Sequence, residues 1–379
     1  MLSGVLSVAA CVQQPFMPLG PAGVGKTPAQ AKPAFRVVYR FGLKPNDGKM
    51  PTGGLTLFKG VLYGTTQQGG TGRCFATSSQ PIGCGTVFSL ATTGQEHVIY
   101  NFRGGSDGEA PNGDLVTLNG ALYGTTHNGG CGTGTVFGIT PSGKEIFRSA
   151  LCTKAQGVLP SAGLTQINGV LFGVASDGGL YNLGSIFSVA PPGPIRRILS
   201  FGKVPNSGSH PTVKLTRVHG ALFGAAGTFF KATPSGHLTT LNRANPAPAL
   251  NAIDLQNGTL YGSSTAYRSS TANGAACRLN YNTGAIVVLY AFKGKADGES
   301  PQGGLRFLNG LLYGTALGGA VGDGTIYSMT PSGAFRLLYS FRNSVAAGPV
   351  GRLLVVGGSL YGAAQSSPNG FGVIYAYTP

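Results

Sequence analysis

The chain reads as an all-β protein, a seven-bladed β-propeller built from four-stranded antiparallel blades. Three observations predict it. A Leu-Tyr-Gly or Leu-Phe-Gly marker recurs at Tyr63, Tyr123, Phe172, Phe223, Tyr261, Tyr313 and Tyr361, at separations of 60, 49, 51, 38, 52 and 48 residues. Seven strand-like copies at so even a period mark a repeat architecture. Glycine supplies 64 of 379 residues and falls between short runs of Val, Ile, Leu, Tyr and Phe, as tight turns between strands require. The two ends of the chain also complement each other. The last repeat stops after a third strand at GVIYAYTP, and AFRVVYRF at 34–41 matches the fourth strand AFRLLYSF at 334–341. An N-terminal strand that completes the C-terminal blade closes a circular array. An open solenoid would carry polar caps at both ends, and none is visible in the sequence.

Each repeat then divides into four strands. The first follows Pro-x-Gly-x-Leu, as in Pro51 to Leu55, Pro111 to Leu115 and Pro301 to Leu305. A two-residue turn follows it, Asn-Gly at Asn119, Asn168, Asn257 and Asn309; a type I′ turn needs positive φ at both central positions, which Asn and Gly tolerate best. The second strand carries the aromatic marker and opens into a Gly-rich loop of variable length. The third reads GTVFSL at 85–90, GTVFGI at 134–139 and GTIYSM at 324–329, with Cys277 where other copies hold an aromatic residue. A Pro-Ser-Gly turn, as at Pro141, Pro234 and Pro331, leads to the fourth strand. The alternation puts the loops after strands two and four on one face and the tight turns on the other. The copy around Phe223 is the poorest, its middle loop nearly gone.

Residues 1–11 and 12–33 stand apart from this array. Val8-Ala9-Ala10-Cys11 has the form of a lipobox, which makes Cys11 the candidate lipid anchor and the sole route to a membrane. The apolar start is short and lacks a basic n-region, so another export-signal remnant and a plain leader stay open as readings. Residues 12–33, rich in Pro, Gly, Ala and Gln, read as a flexible tether. Residues 34–379 are expected to form one propeller domain, as a monomer.

Lys and Arg number 27 against 11 Asp and Glu, a formal charge of +16. Such a surface attracts anionic partners, but the basic residues form no run longer than two, and no basic helix or arginine-rich tail is present. A general anionic contact is expected, and specific nucleic-acid binding is not. Of six cysteines, Cys74 and Cys84 bracket one loop, a layout suited to a disulfide and to an oxidising compartment. Cys131 and Cys152 stand in neighbouring segments, and whether they pair stays open here. None of the spacings suits zinc, and no cofactor is expected.

The combination of Leu122 to Thr126, Gly134 to Phe137 and the Asp-Gly-x-x-Pro linker at Asp107 to Pro111 resembles the GloVer tandem repeat family over residues 34–379. The resemblance implies a bacterial, exported protein with an anchor near one end, and no particular chemistry.

Function on a rigid scaffold concentrates in its longer loops, so the loop face is the expected binding face. His127 and Asn128 in the second repeat, Asp177 in the third, and the linker acids Asp47, Asp107 and Asp297 are its candidate residues. A His beside a carboxylate can act in acid–base chemistry, and His210 is the other histidine on that face. A ring of the three linker acids could hold a cation, but calcium needs six to eight oxygens, and an Asp that caps its own turn is the simpler reading. No Ser-His-Asp signature is present, and a glycosidase would need two flanking carboxylates. The sequence therefore points to a non-enzymatic exported module for a glycan or protein. A polysaccharide lyase using His127 and a purely structural spacer are the alternatives.

Overall fold

The computed structural model describes residues 33–75, 80–203, 207–242, 250–265 and 273–379, so Cys11 and most of the tether lie outside the described residues. Seven antiparallel sheets follow one another along the chain. The innermost strands of the blades are Gly48–Phe58, Glu109–Leu118, Val158–Pro160 with Thr165–Ile167, Thr216–Val218, Leu250–Gln256, Glu299–Leu308 and Ala347–Val356. Each touches the innermost strand of the next blade, and the last touches the first, so the ring is closed. Ala34–Arg40 pairs antiparallel with Val373–Thr378, from Ala34 opposite Thr378 to Arg40 opposite Val373. The outermost strand of the last blade therefore comes from the beginning of the chain.

The repeated residues are explained by the joints between blades. In six of the seven blades the glycine that opens the third strand has no room for a side chain because the next blade's proline lies against it; Gly227 of the fourth blade has open space instead. A Cβ on Gly85 would sit 2.5 Å from Pro111, on Gly134 2.4 Å from Pro160, and on Gly372 2.6 Å from Pro51. The last of these is the closing joint, and it obeys the same rule as the others. The residue before each proline has positive φ, at Met50, Ala110, Leu159, His210 and Ser300. That region is costly for a non-glycine residue, on the order of 1–3 kcal/mol, but it aims the N–H at a carbonyl of the preceding blade. Met50 donates to Phe371, Ala110 to Cys84 and His210 to Leu183. In five blades a phenylalanine at the end of the fourth strand, replaced by Leu151 and Leu241 in the second and fourth, completes the seal by packing edge-on against the next blade's third strand, as with Phe41 on Phe88, Phe102 on Phe137 and Phe341 on Tyr375, at centroid distances of 5.0–5.1 Å. Burial of one such ring contributes roughly 1.5–3 kcal/mol.

Within a blade, the glycine of the aromatic marker makes room for the third-strand ring. A Cβ on Gly64, Gly124 or Gly173 would lie 2.4–2.6 Å from the tip of Phe88, Phe137 or Phe187. The inner-strand leucine, Leu55, Leu115 or Leu164, covers the same glycine from the other side. Cys277 is buried and unpaired in this row, and its thiol is pushed up to about 12 by burial.

Tyr327 and Tyr375 take the place of phenylalanine in two blades. Both side chains are fully buried, and neither hydroxyl has a hydrogen-bond partner among the described residues. Their oxygens press on Gly314 and Gly362, and burial raises both phenols well above the ordinary tyrosine value. Since an unpaired buried hydroxyl costs about 1–3 kcal/mol, Tyr327→Phe should raise stability by about 1 kcal/mol. The readout is a higher urea midpoint at unchanged denaturant slope. A lower midpoint would show that the hydroxyl supports the fold.

Candidate functional site

The inner strands do not run straight through the blade. Opposite the aromatic marker they bulge, with a register shift between Asn112 and Val116 in the second blade and between Val350 and Leu354 in the seventh. The bulge is the Pro-x-Gly-x-Leu motif itself. Its glycine lets neighbouring inner strands approach backbone to backbone: a Cβ on Gly53 would meet Gly113 at 2.5 Å, and one on Gly351 would meet Gly53 at 2.1 Å. Its leucine turns into the core. The residue between them is left in the central channel.

That intervening residue is Gly54, Asp114, Gly163, Lys214, Gly304 or Arg352 in six of the blades. Two positions further along the strand, Asp254 and Arg306 enter the channel beside them. The result is one buried ion network. Arg352 bridges both acids, with Nε 2.6 Å from Asp114 and Nη1 2.6 Å from Asp254. Lys214 lies 3.4 Å from Asp114, and Arg306 lies 3.5 Å from Asp254. The Gly54 N–H donates to Asp114, and Arg306 Nε donates to the Leu353 carbonyl at 2.7 Å. A cavity of about 150 Å³ adjoins the cluster, with Ser161, Thr212 and Asn251 on its wall. Three cations face two carboxylates, a net charge of +1.

Burial alone would raise the Asp114 carboxyl, but the Arg352 and Lys214 charges and the Gly54 N–H outweigh it and hold the group well below the usual carboxylate range. Burial, with Arg352 adding to it, lowers Lys214 to about 8. None of these five residues was singled out from the sequence. The signal was the motif's own variable position, charged in three repeats and glycine in three others, which becomes visible only when the copies are aligned residue by residue.

The linker acids are turn caps. Asp47 accepts from Tyr39 OH at 2.9 Å and from the N–H groups of Gly42, Leu43 and Gly48. Asp107 accepts from Tyr100 OH, the Arg103 N–H and Arg148. Asp297 accepts from Tyr290 OH at 2.7 Å and the Lys293 N–H, and burial together with this bond pushes Tyr290 up to about 12. The three acids sit in separate blade-to-blade linkers, each enclosed by its own turn.

On the loop face the structure sets Asp177 beside His210, with Nε2 and Oδ1 3.8 Å apart, and Asp177 also accepts from Ser176 at 2.7 Å. His127 instead turns its Nδ1 toward the Pro160 carbonyl at 3.4 Å. Asn128 ends the same strand, where its carbonyl accepts from Thr126. Cys74–Cys84 and Cys131–Cys152 are both disulfides and tie down the loops of the first two blades.

The fold and site together define a closed seven-bladed propeller with an ion network spanning its channel. The model of the Gloeobacter/Verrucomicrobia repeat matches residues 74–245 and 225–379, and the chain belongs to that repeat family. No curated protein matches it. Among solved structures it is similar to a streptogramin B lyase, at 16% identity over 93% of this chain and 99% of the other, with a TM-score of 0.64. Virginiamycin B lyase from Staphylococcus aureus gives 17% identity over 92% and 99%, also at 0.64. BamB from Moraxella catarrhalis gives 14% over 91% and 98%, at 0.52. At these identities the likeness is one of fold.

Asp114→Asn would leave Arg352 and Lys214 facing a neutral amide, and breaking a buried pair from one side costs about 3–5 kcal/mol. The variant should be less stable than wild type by that order at pH 7 in urea denaturation. The folded Asp114 pKa lies below the unfolded value of 3.8, so the stabilisation is complete above that value and is lost as pH falls below it. The gap between wild type and variant should therefore narrow at pH 3. Lys214 works in the opposite sense: with a folded pKa of about 8 against 10.5 unfolded, it lowers stability below pH 8 and is relieved as pH rises toward 10.5. Equal stability of variant and wild type at pH 7 would show that the network holds nothing together.

Proposed function

We propose that the protein is a non-enzymatic binding propeller that acts outside the cytoplasm on a glycan or protein partner. The observation that carries this reading is that six of the eleven carboxylates, those of the three linkers, the channel and the third-blade loop, are already engaged. Asp47, Asp107 and Asp297 cap turns, Asp177 meets Ser176 and His210, and Asp114 and Asp254 are bound by guanidinium and ammonium groups. An engaged, charge-paired carboxylate is a poor proton acceptor, whereas a rigid ring with tethered loops is a good presenter of a surface. Two disulfides favour an oxidising compartment, and membership of the repeat family is compatible with a bacterial surface protein.

Purified protein screened against acidic and neutral glycans should bind at least one class saturably and leave it chemically unchanged. Unsaturated sugar products would replace this reading with a lyase, and binding to no glycan or surface protein would leave a structural spacer.

Anchoring through Cys11 belongs to the same reading. Expressed from its genomic start, wild-type protein should partition into detergent and Cys11→Ser should stay in the aqueous phase. A Cys11→Ser protein that still enters detergent places the anchor elsewhere.

A further inference from the structure

Basic residues stand on both faces of this protein, whereas most of the acids stand on one. In the sheet register, the third-strand residue opposite the aromatic marker, and the fourth-strand residue opposite that one, form a tier near the tight turns. Lys231 pairs with Phe223, and Arg278 pairs with Tyr261. Arg196 is reached from Phe172 through Ser188, Arg336 from Tyr313 through Ser328, and Arg36 from Tyr361 through Ala376. In the first blade the same register leads from Tyr63 through Ser89 to His97. Six of seven blades thus place a basic residue or histidine on one tier, and all six side chains are exposed. None of them forms an ion pair among the described residues. Seven acids lie in the loops and linkers of the opposite face and two in the channel; Glu96 and Glu145 begin fourth strands on the turn side and are paired with Lys44 and Arg148.

A cleft of about 350 Å³ opens on this face in the fifth blade, lined among others by Thr259, Arg278, Asn280, Tyr281 and Asn282. The Tyr281 ring is held by edge contacts with His219 and Phe223, at 5.8 and 6.2 Å. A guanidinium without an acidic partner, amide side chains and a fixed aromatic ring around a small cleft are the groups that recognise a sugar carrying a carboxylate. Arginine pairs with a carboxylate through two parallel hydrogen bonds, and the ring offers an apolar wall.

We propose that the turn face binds a flexible acidic polysaccharide along this tier of cations, with the cleft at Arg278 and Tyr281 as one sugar subsite. The inference rests on the binding reading above and gives it a face and a partner class. The shape of the face selects a chain over a flat surface. Its outermost points are small polar turns such as Asn119-Gly120 and Pro331-Ser332-Gly333, which offer a bilayer no apolar tip to insert. The cations stand back along the strands, where a polymer can lie between turns. Two disulfides favour an extracytoplasmic polymer, and so a polysaccharide over nucleic acid.

The test compares two charge-matched triple variants for binding to polygalacturonate at physiological ionic strength, with a neutral galactan as control. One carries Lys231→Glu, Arg278→Glu and Arg336→Glu on the turn face; the other carries Arg103→Glu, Lys203→Glu and Lys293→Glu on the loop face. All six positions are exposed, and thermal melts establish that both variants are folded. The turn-face triple should weaken binding by about tenfold or more and the loop-face triple by less than about twofold, since local contacts and not net charge set the affinity. Equal weakening by both would reduce the effect to bulk charge and overturn the proposal. Tighter binding of wild type to duplex DNA or to anionic phospholipid vesicles than to polygalacturonate would overturn the partner class. Failure to bind polygalacturonate while a neutral glycan or a protein is bound would overturn this inference and leave the binding reading standing.

Discussion

The architecture depends on the backbone fit between one blade's third strand and the next blade's first. At six of the seven joints a glycine lies flat against a proline ring and the residue before the proline turns its N–H back to the preceding blade, and at five of these a phenylalanine covers the contact. Each group makes the next possible. Proline has no N–H to satisfy and presents only a ring edge, and the positive φ before it re-aims the strand. The absence of a Cβ on the glycine brings the two within contact. Repetition of this joint lets short strands, individually of marginal stability, share one continuous core. The contact of Gly372 with Pro51 shows that the two ends of the chain meet by the same rule.

The inner strands carry a second consequence of glycine. Because they bulge at Pro-x-Gly-x-Leu, one residue per blade leaves the hydrophobic pattern and faces the channel. In most proteins a buried charge there would be a liability, and an isolated one costs several kcal/mol. Here Asp114, Lys214, Asp254, Arg306 and Arg352 come from five different blades, with a sixth contributing the Gly54 N–H. No pair is close in sequence, so the network exists only when the ring is closed.

The distribution of charge follows from the same plan. Linker acids are retained on the loop face because each closes a turn by accepting two or more donors. The tight turns on the other face are built from Asn, Gly, Pro and Ser and need no carboxylate. The tier cations of strands three and four consequently form no ion pair among the described residues, and acids that look diffuse along the sequence gather mostly on one side in space.

Much of this was legible in the residues alone. Blade number, strand order, the Asn-Gly turns and the complementary ends follow from periodicity, since alternation and turn chemistry are local properties of the chain. The capping role of Asp47, Asp107 and Asp297 was legible for the same reason, each acid lying within a few residues of its donors. Cys74 and Cys84 could be paired because one loop holds both. The pairing of Asp177 with His210, and not with His127, depended on how two neighbouring blades meet, which no local pattern encodes. The channel network was hidden still more completely. Asp114 and Arg352 are 238 positions apart, and they meet because a bulge turns each out of its strand toward a common axis. Sequence determined the repeating unit, because strands and turns are fixed by near neighbours. Tertiary structure alone decided which charges share the channel and which remain unpaired, because that depends on the geometry of a closed ring.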